Sequence, residues 1–305
     1  MPVGTPLPAA RPLPEVRRRR SSPHETSVVW EQTQPFPHEE RLDAPTWVAC
    51  SDDRGFAVRN KHVAMWDGAA WFEVPTPATN DIQITTEFGA VAPVADSSGR
   101  LFVVAGDSSN TRVLFWDGWA WSGAQVIEDI RGFTTLGNRV YGVTTRDLLV
   151  LNGYPEEPVP HLDRHASGTM FRLNAIAGRH NELFLGGESG VVIHYSNNPR
   201  RIRIDPRLPV VAFSVGARVL ALLKDGSVFA RTEHFWRAVS IPPTFALTEE
   251  FAVTKRGFMV WANQRWELES APESRSRWTH GSVCQTREHA LIGTSHGAWI
   301  RRLGR

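Results

Sequence analysis

Cysteine is scarce in this 305-residue chain, which carries two, Cys50 and Cys284. That count excludes a multi-bridge disulfide scaffold and any zinc module built on several thiolates. No apolar run approaches the ~20 residues that a bilayer-spanning helix needs, which excludes a helical membrane protein. Lysine is nearly missing as well: of 34 basic residues only Lys61, Lys224 and Lys255 are lysine. The formal charge is +2, so the molecule as a whole is not a polycation shaped for nucleic acid. Helix-period patterning is absent over any useful length, and four methionines contrast with twelve tryptophans and 24 glycines. Many short strands joined by tight turns are what that balance implies.

Residues 1–26 are rich in Pro and Arg and show no periodicity. Proline removes backbone donors and holds the chain extended, so this segment is expected to be a disordered tail. It lacks the apolar stretch of a secretory signal, which points to a cytoplasmic protein. Arg17, Arg18, Arg19 and Arg20 form the one run that could touch nucleic acid or an acidic surface. A solvated tail is the simpler reading.

Three segments share a pattern: MWDGAAW (65–71), FWDGWAW (115–121) and VWANQRW (260–266). Each spaces two tryptophans five residues apart around a polar or small turn. Whether that turn has two residues or four, hairpin parity puts Trp66 with Trp71, Trp116 with Trp121 and Trp261 with Trp266 on one face. Asp-Gly at 67–68 and 117–118 signals a tight turn with both central residues at positive φ. Trp119, offset in parity from at least one of Trp116 and Trp121, is expected at the surface.

Around these hairpins the chain divides into units of four short strands, at 46–75, 90–126, 132–162, 173–205, 210–241 and 245–270. A seventh unit after Trp278 has three strands and then the chain stops. The missing strand is at the other end, in SVVWEQTQ (27–34), where Trp30 matches Trp71, Trp236 and Trp266 of the outer strands. An open ring of small sheets would leave unpaired edges and an unburied sheet face. The expected fold is therefore an all-β, seven-bladed β-propeller over residues 27–305, closed by residues 27–34 completing the last blade. Six and eight blades are the alternatives. About 40 residues per unit suits such an array.

The WDGxxW hairpins resemble the degenerate repeats of bacterial kelch-like and WD40-like propellers, in which a Trp-Asp or Tyr-Asp pair ends the third strand. The chain departs from those patterns in having no Gly-His dipeptide between blades and one double glycine, Gly186–Gly187. The resemblance implies the architecture and a scaffold role, and it carries over no catalytic residue.

No constellation for chemistry emerges from the residues. His161-x3-His165, with Asp163 between, lies in HLDRHASGT, read as an inter-blade loop with no fixed ligand geometry. His289 and His296 flank one strand of the last unit and are expected at the surface. The doublets Asp52–Asp53, Glu156–Glu157 and Glu249–Glu250 are not expected to converge, since neighbouring side chains on a strand point apart. Cys50 and Cys284 fall in the innermost strands of the first and last blades, near each other once the ring closes. In a reducing cytoplasm they are expected as buried thiols, with a disulfide as the lesser alternative. No cofactor and no metal is implied.

Loop lengths distinguish the two faces of the ring. The turns between third and fourth strands are short. The opposite face receives the long segments 75–87 and 161–172 and the turns between second and third strands. It is expected to carry Arg59, Asn60, Lys61, Asn110, Arg146, His161, Arg164, His165, Lys224, Lys255, Arg256 and His296. Long loops on a rigid frame are where recognition resides. The expected function is a non-catalytic scaffold subunit, monomeric by itself, binding an acidic protein partner there. The alternative is a carbohydrate-binding propeller that stacks sugars on exposed indoles.

Overall fold

The computed structural model describes residues 30–36, 45–60, 62–75, 91–105, 112–125, 130–136, 139–152, 161–166, 172–179, 182–195, 200–233, 235–272 and 278–303. The expected tail, residues 1–26, lies outside them. Seven four-stranded antiparallel sheets follow one another along the chain, and six of them run in strict sequence order from inner to outer strand. The seventh has the order Glu31–Thr33, Gly297–Arg302, His289–Thr294, Gly281–Gln285. The only helix among the described residues is a single 3-10 turn, Glu188–Gly190. The molecule is a seven-bladed β-propeller closed by its N-terminal strand.

The closure is a three-residue ladder, Glu31↔Ile300, Gln32↔Trp299 and Thr33↔Ala298. Its anchor is Trp30, 7% exposed, packed on Phe251 and Phe258 of blade 6 with ring centroids 5.7 and 5.1 Å apart. The indole N–H donates to Glu269 Oε2 at 2.6 Å, and Glu269 Oε1 accepts from Arg301 Nη2 at 2.7 Å. The buried polar edge of the indole is thus satisfied by a carboxylate that is itself paired. On the other side, the Trp71 indole of blade 1 donates to Thr33 Oγ1 at 3.1 Å.

The core is divided among the seams between blades. Phe56 and Leu101 are fully buried at the seam of blades 1 and 2. Leu173 and Val191 occupy that of blades 3 and 4, and Phe184 and Val210 that of blades 4 and 5. Short β-branched and aromatic strands alternate their side chains between two neighbouring blades, which is why second strands such as Gly55–Arg59 and His289–Thr294 are buried throughout.

The tryptophan hairpins form as the parity argument requires. Trp66↔Trp71, Trp116↔Trp121 and Trp261↔Trp266 are direct cross-strand partners, with ring centroids 5.5, 5.6 and 5.6 Å apart. The turns differ from expectation. Both Asp-Gly hairpins have four-residue loops in which only the glycine (Gly68, Gly118) has positive φ. Asp67 Oδ1 accepts from the N–H of Ala69 and Ala70, and Asp117 Oδ1 does the same for Trp119 and Ala120. Those amides hold both carboxyls below their ordinary pKa. The two-residue turn with both centres at positive φ is instead Asn263–Gln264.

Blade 3 corrects one boundary. Its outer strand is His161–Ala166, paired residue by residue with Asp147–Asn152. The segment expected as an inter-blade loop is therefore a ladder strand for its first six residues.

Candidate functional site

In each blade the strands run from one face of the ring to the other and back, so turns between second and third strands share a face with the inter-blade connections. In blades 6 and 7 these turns have a common design. Thr254 pairs with Gly257, and Thr294 with Gly297, leaving two residues at the tip. The threonine Oγ1 donates to the glycine carbonyl, at 2.8 and 3.4 Å, and accepts from the second tip N–H (Arg256, His296) at 3.1 and 3.0 Å. The glycines sit at φ 131° and 126°, which an L side chain rarely adopts. The tip of the blade 6 turn is Lys255–Arg256, and both side chains are exposed.

Lys224 of blade 5 and Arg146 of blade 3 are exposed at equivalent turns. The Lys224 N–H donates to Pro209 O at 3.1 Å and the Lys255 N–H to Pro243 O at 3.0 Å, tying each turn to the chain entering its own blade. The face also carries acid: Asp225 adjoins Lys224, and Glu188 lies 3.9 Å from Arg172. Lys61 and Asn110 lie outside the described residues, as do the side chains of His161, Arg164 and His165.

Two expected contact residues are placed otherwise. Arg59 is 3% exposed: its Nε and Nη2 donate to Thr46 Oγ1 at 2.9 and 2.5 Å, and its guanidinium lies 5.7 Å from the Phe36 ring centroid. It ends a fully buried strand, so its charge is spent inside the ring and does not reach a partner. His296 is half-buried, its carbonyl accepting from Gln32 of the closing strand at 3.4 Å. His289, expected at the surface, is buried, and desolvation pushes its pKa down.

The carboxylate doublets divide. Asp52 and Asp53 do converge, on Arg287, at 2.9 and 3.6 Å, because they sit in a turn where strand alternation does not apply. Glu249 reaches the Ala217 amide of blade 5, whereas Glu250 accepts from Gln285 of blade 7 at 3.0 Å. Glu156–Glu157 lies outside the described residues. No group of three or more His, Cys, Asp or Glu gathers as a metal site among the described residues.

A channel of about 530 Å³ runs along the axis, lined by the innermost strands of all seven blades. Cys50 and Cys284 lie toward its far end and are joined in a disulfide, with Cα atoms 5.5 Å apart. The expectation of two buried thiols is corrected. Strand ends brought within bridging distance by ring closure form a covalent seam. At the near end, on the face of the inter-blade connections, Trp47 and His280 meet in a tilted ring contact, centroids 3.9 Å apart and planes at 57°. Burial pushes the His280 pKa down to about 4, opposed by a hydrogen bond to the Thr46 backbone.

Of the twelve tryptophans, only Trp119 is exposed, at 91%. Its hairpin tip projects from the other face, next to Gly118, whose surroundings include the Arg54 guanidinium.

The sequence matches no family model and no curated protein. Solved structures share the fold at low identity. The extracellular domain of a putative hybrid two-component system from B. thetaiotaomicron aligns with 91% of the chain at 15% identity and TM-score 0.65. PorZ, a surface component of the type-IX secretion system of Porphyromonas gingivalis, aligns with 90% at 13% identity and TM-score 0.62. The chain spans only 40% and 38% of those two proteins. The WD40 β-propeller domain of Doa1 aligns with 88% at 11% identity and TM-score 0.62, and 95% of that domain is covered. The chain is thus similar to WD40-like and other propellers in fold.

Proposed function

We propose that the protein is a non-catalytic interaction subunit whose partner, a protein with acidic patches, docks on the face of the inter-blade connections. The observation that carries this reading is the rigid presentation of cations there. Lys255 and Arg256 form the entire tip of a threonine–glycine-locked turn, with Lys224 on the neighbouring blade. Pre-organised charges give up little conformational freedom on binding and steer association. The structural likeness to a WD40 domain and to a secretion-system surface component supports an interaction role. Glutamate at 224, 255 and 256 together should abolish recovery of the partner in cross-linking mass spectrometry while leaving the melting temperature unchanged. Equal recovery with the wild type would remove the reading.

The sugar-binding alternative now rests on one side chain, Trp119, since the other eleven indoles are buried or half-buried. The cytoplasmic placement is in tension with the Cys50–Cys284 disulfide, which favours an oxidising compartment. Fractionation of cells followed by thiol trapping decides that point.

A further inference from the structure

We propose that the channel mouth on the face of the inter-blade connections is a binding site for a small organic carboxylate with an aromatic or otherwise apolar body. The site is built by a repeated backbone device. In four consecutive blades the innermost strand carries a β-bulge at the same level. The register skips from Ile130 to Gly132, from Leu173 to Ala175, from Val210 to Ala212 and from Thr244 to Ala246. The residues left outside the ladder are Arg131, Asn174, Val211 and Phe245, and all four line the channel. A bulge forfeits regular pairing and re-aims a side chain, which is why bulges recur beside functional sites. Trp47 and His280 line it in blades 1 and 7, and Ala92, Pro93 and Val94 in blade 2.

The lining is two-sided. Around the ring, Val211, Phe245, His280 and Trp47 come from blades 5, 6, 7 and 1 and make an aromatic and aliphatic arc. Arg131 and Asn174, from blades 3 and 4, make a cationic and amide arc across from it. His280 stays neutral with a pKa near 4, so it belongs to the apolar arc at physiological pH. Between the larger lining side chains the chain is small: Gly132, Ala175, Ala212, Ala246 and Gly281 each follow one of them. A Cβ on Gly281 would lie 2.9 Å from Phe245 Cβ, so these positions let adjacent blades close around the cavity. A volume of about 530 Å³ is in the range of small-molecule sites. One guanidinium facing an apolar arc selects a carboxylate carried on an apolar body.

The test is isothermal calorimetry on the full chain with 4-phenylbutyrate, its neutral amide and butyrate. The acid should bind at one site about tenfold more tightly than either of the others. Arg131→Gln should bring the acid to the level of the amide, Arg131→Lys should retain the preference, and Phe245→Ala should weaken acid and amide alike. Equal affinity for acid and amide, an Arg131→Gln protein that still prefers the acid, or no binding at about 10 mM overturns the proposal. If Arg131→Gln does not fold, hydroxyl-radical footprinting of the wild type serves in its place. Protection of Trp47 by 4-phenylbutyrate upholds the site, and unchanged oxidation of Trp47 refutes it.

Discussion

Cys50 and Cys284, 234 positions apart in the chain, are covalently joined where the innermost strand of the first blade meets that of the last. The bridge lies at the seam that the closing strand also secures. Around it, Ser282 Oγ donates to Thr46 O at 3.2 Å and accepts from the Val48 N–H at 3.0 Å, and the Thr46 N–H donates to Thr294 O at 3.0 Å. The ring is therefore shut at its inner edge by sulfur and at its outer edge by a three-residue ladder.

Cross-linking so long a loop removes much of the unfolded chain's freedom, about 5 kcal/mol on the loop-entropy argument, as an upper bound. Reduction should lower the melting temperature by several degrees. The double variant Cys50→Ala/Cys284→Ala should melt at the reduced value and ignore reductant. Identical melting of the wild type with and without reductant would show that the bridge constrains nothing.

The outer closure can be tested separately. Deleting residues 1–36 removes Trp30, the ladder and the Thr33 acceptor of Trp71, and should unfold or oligomerise the protein. Deleting residues 1–24 should leave melting unchanged. Trp30→Ala should cost about 3–5 kcal/mol, the usual range for truncating a buried aromatic. A full-length melting curve after the longer deletion would refute the closure.

Much of this ring was readable beforehand, and the reason is geometric. Five-residue tryptophan spacing constrains face parity whatever the turn, so Trp66–Trp71 and its equivalents could be paired from spacing alone. The exposure of Trp119 was expected from parity, but its physical cause is its place in the four-residue turn between Trp116 and Trp121, where ladder alternation does not apply. The outer strand His161–Ala166 was not legible, because an outermost strand pairs on one edge only and HLDRHA shows no apolar alternation. The bulges at Arg131, Asn174, Val211 and Phe245 were also invisible, since one extra residue alters register without altering composition. The nearness of Cys50 and Cys284 followed from ring closure, whereas their bond depends on compartment, which spacing does not encode.

Arg59 and Lys224 show the same limit at side-chain level, and their contrast makes a prediction. Both stand at the turn after a second strand, one 3% exposed and the other exposed. Arg59→Ala leaves Thr46 Oγ1 and Phe36 without their partner inside the fold and should destabilise by about 2–4 kcal/mol. Lys224→Ala should change stability by less than about 0.5 kcal/mol. Equal urea midpoints for the two variants would mean that Arg59 does not hold the seam.

His280 should make the ring sensitive to acid. Its folded pKa, about 4, lies below the ordinary value of 6.5, so the unfolded chain binds the proton more readily. The stability contributed by the neutral imidazole is complete above pH 6.5 and is lost as pH falls toward 4. Between pH 7.5 and pH 4.5 the loss from this one group is about 2–3 kcal/mol. Other titrating groups add their own slope, so the informative quantity is the difference between wild type and His280→Asn. The variant lacks the ring that packs against Trp47 and should be less stable at pH 7.5, yet its disadvantage should shrink at pH 4.5. Parallel urea-denaturation curves at both pH values would show that His280 titrates as it does in the unfolded chain and that packing against Trp47 does not desolvate its ring.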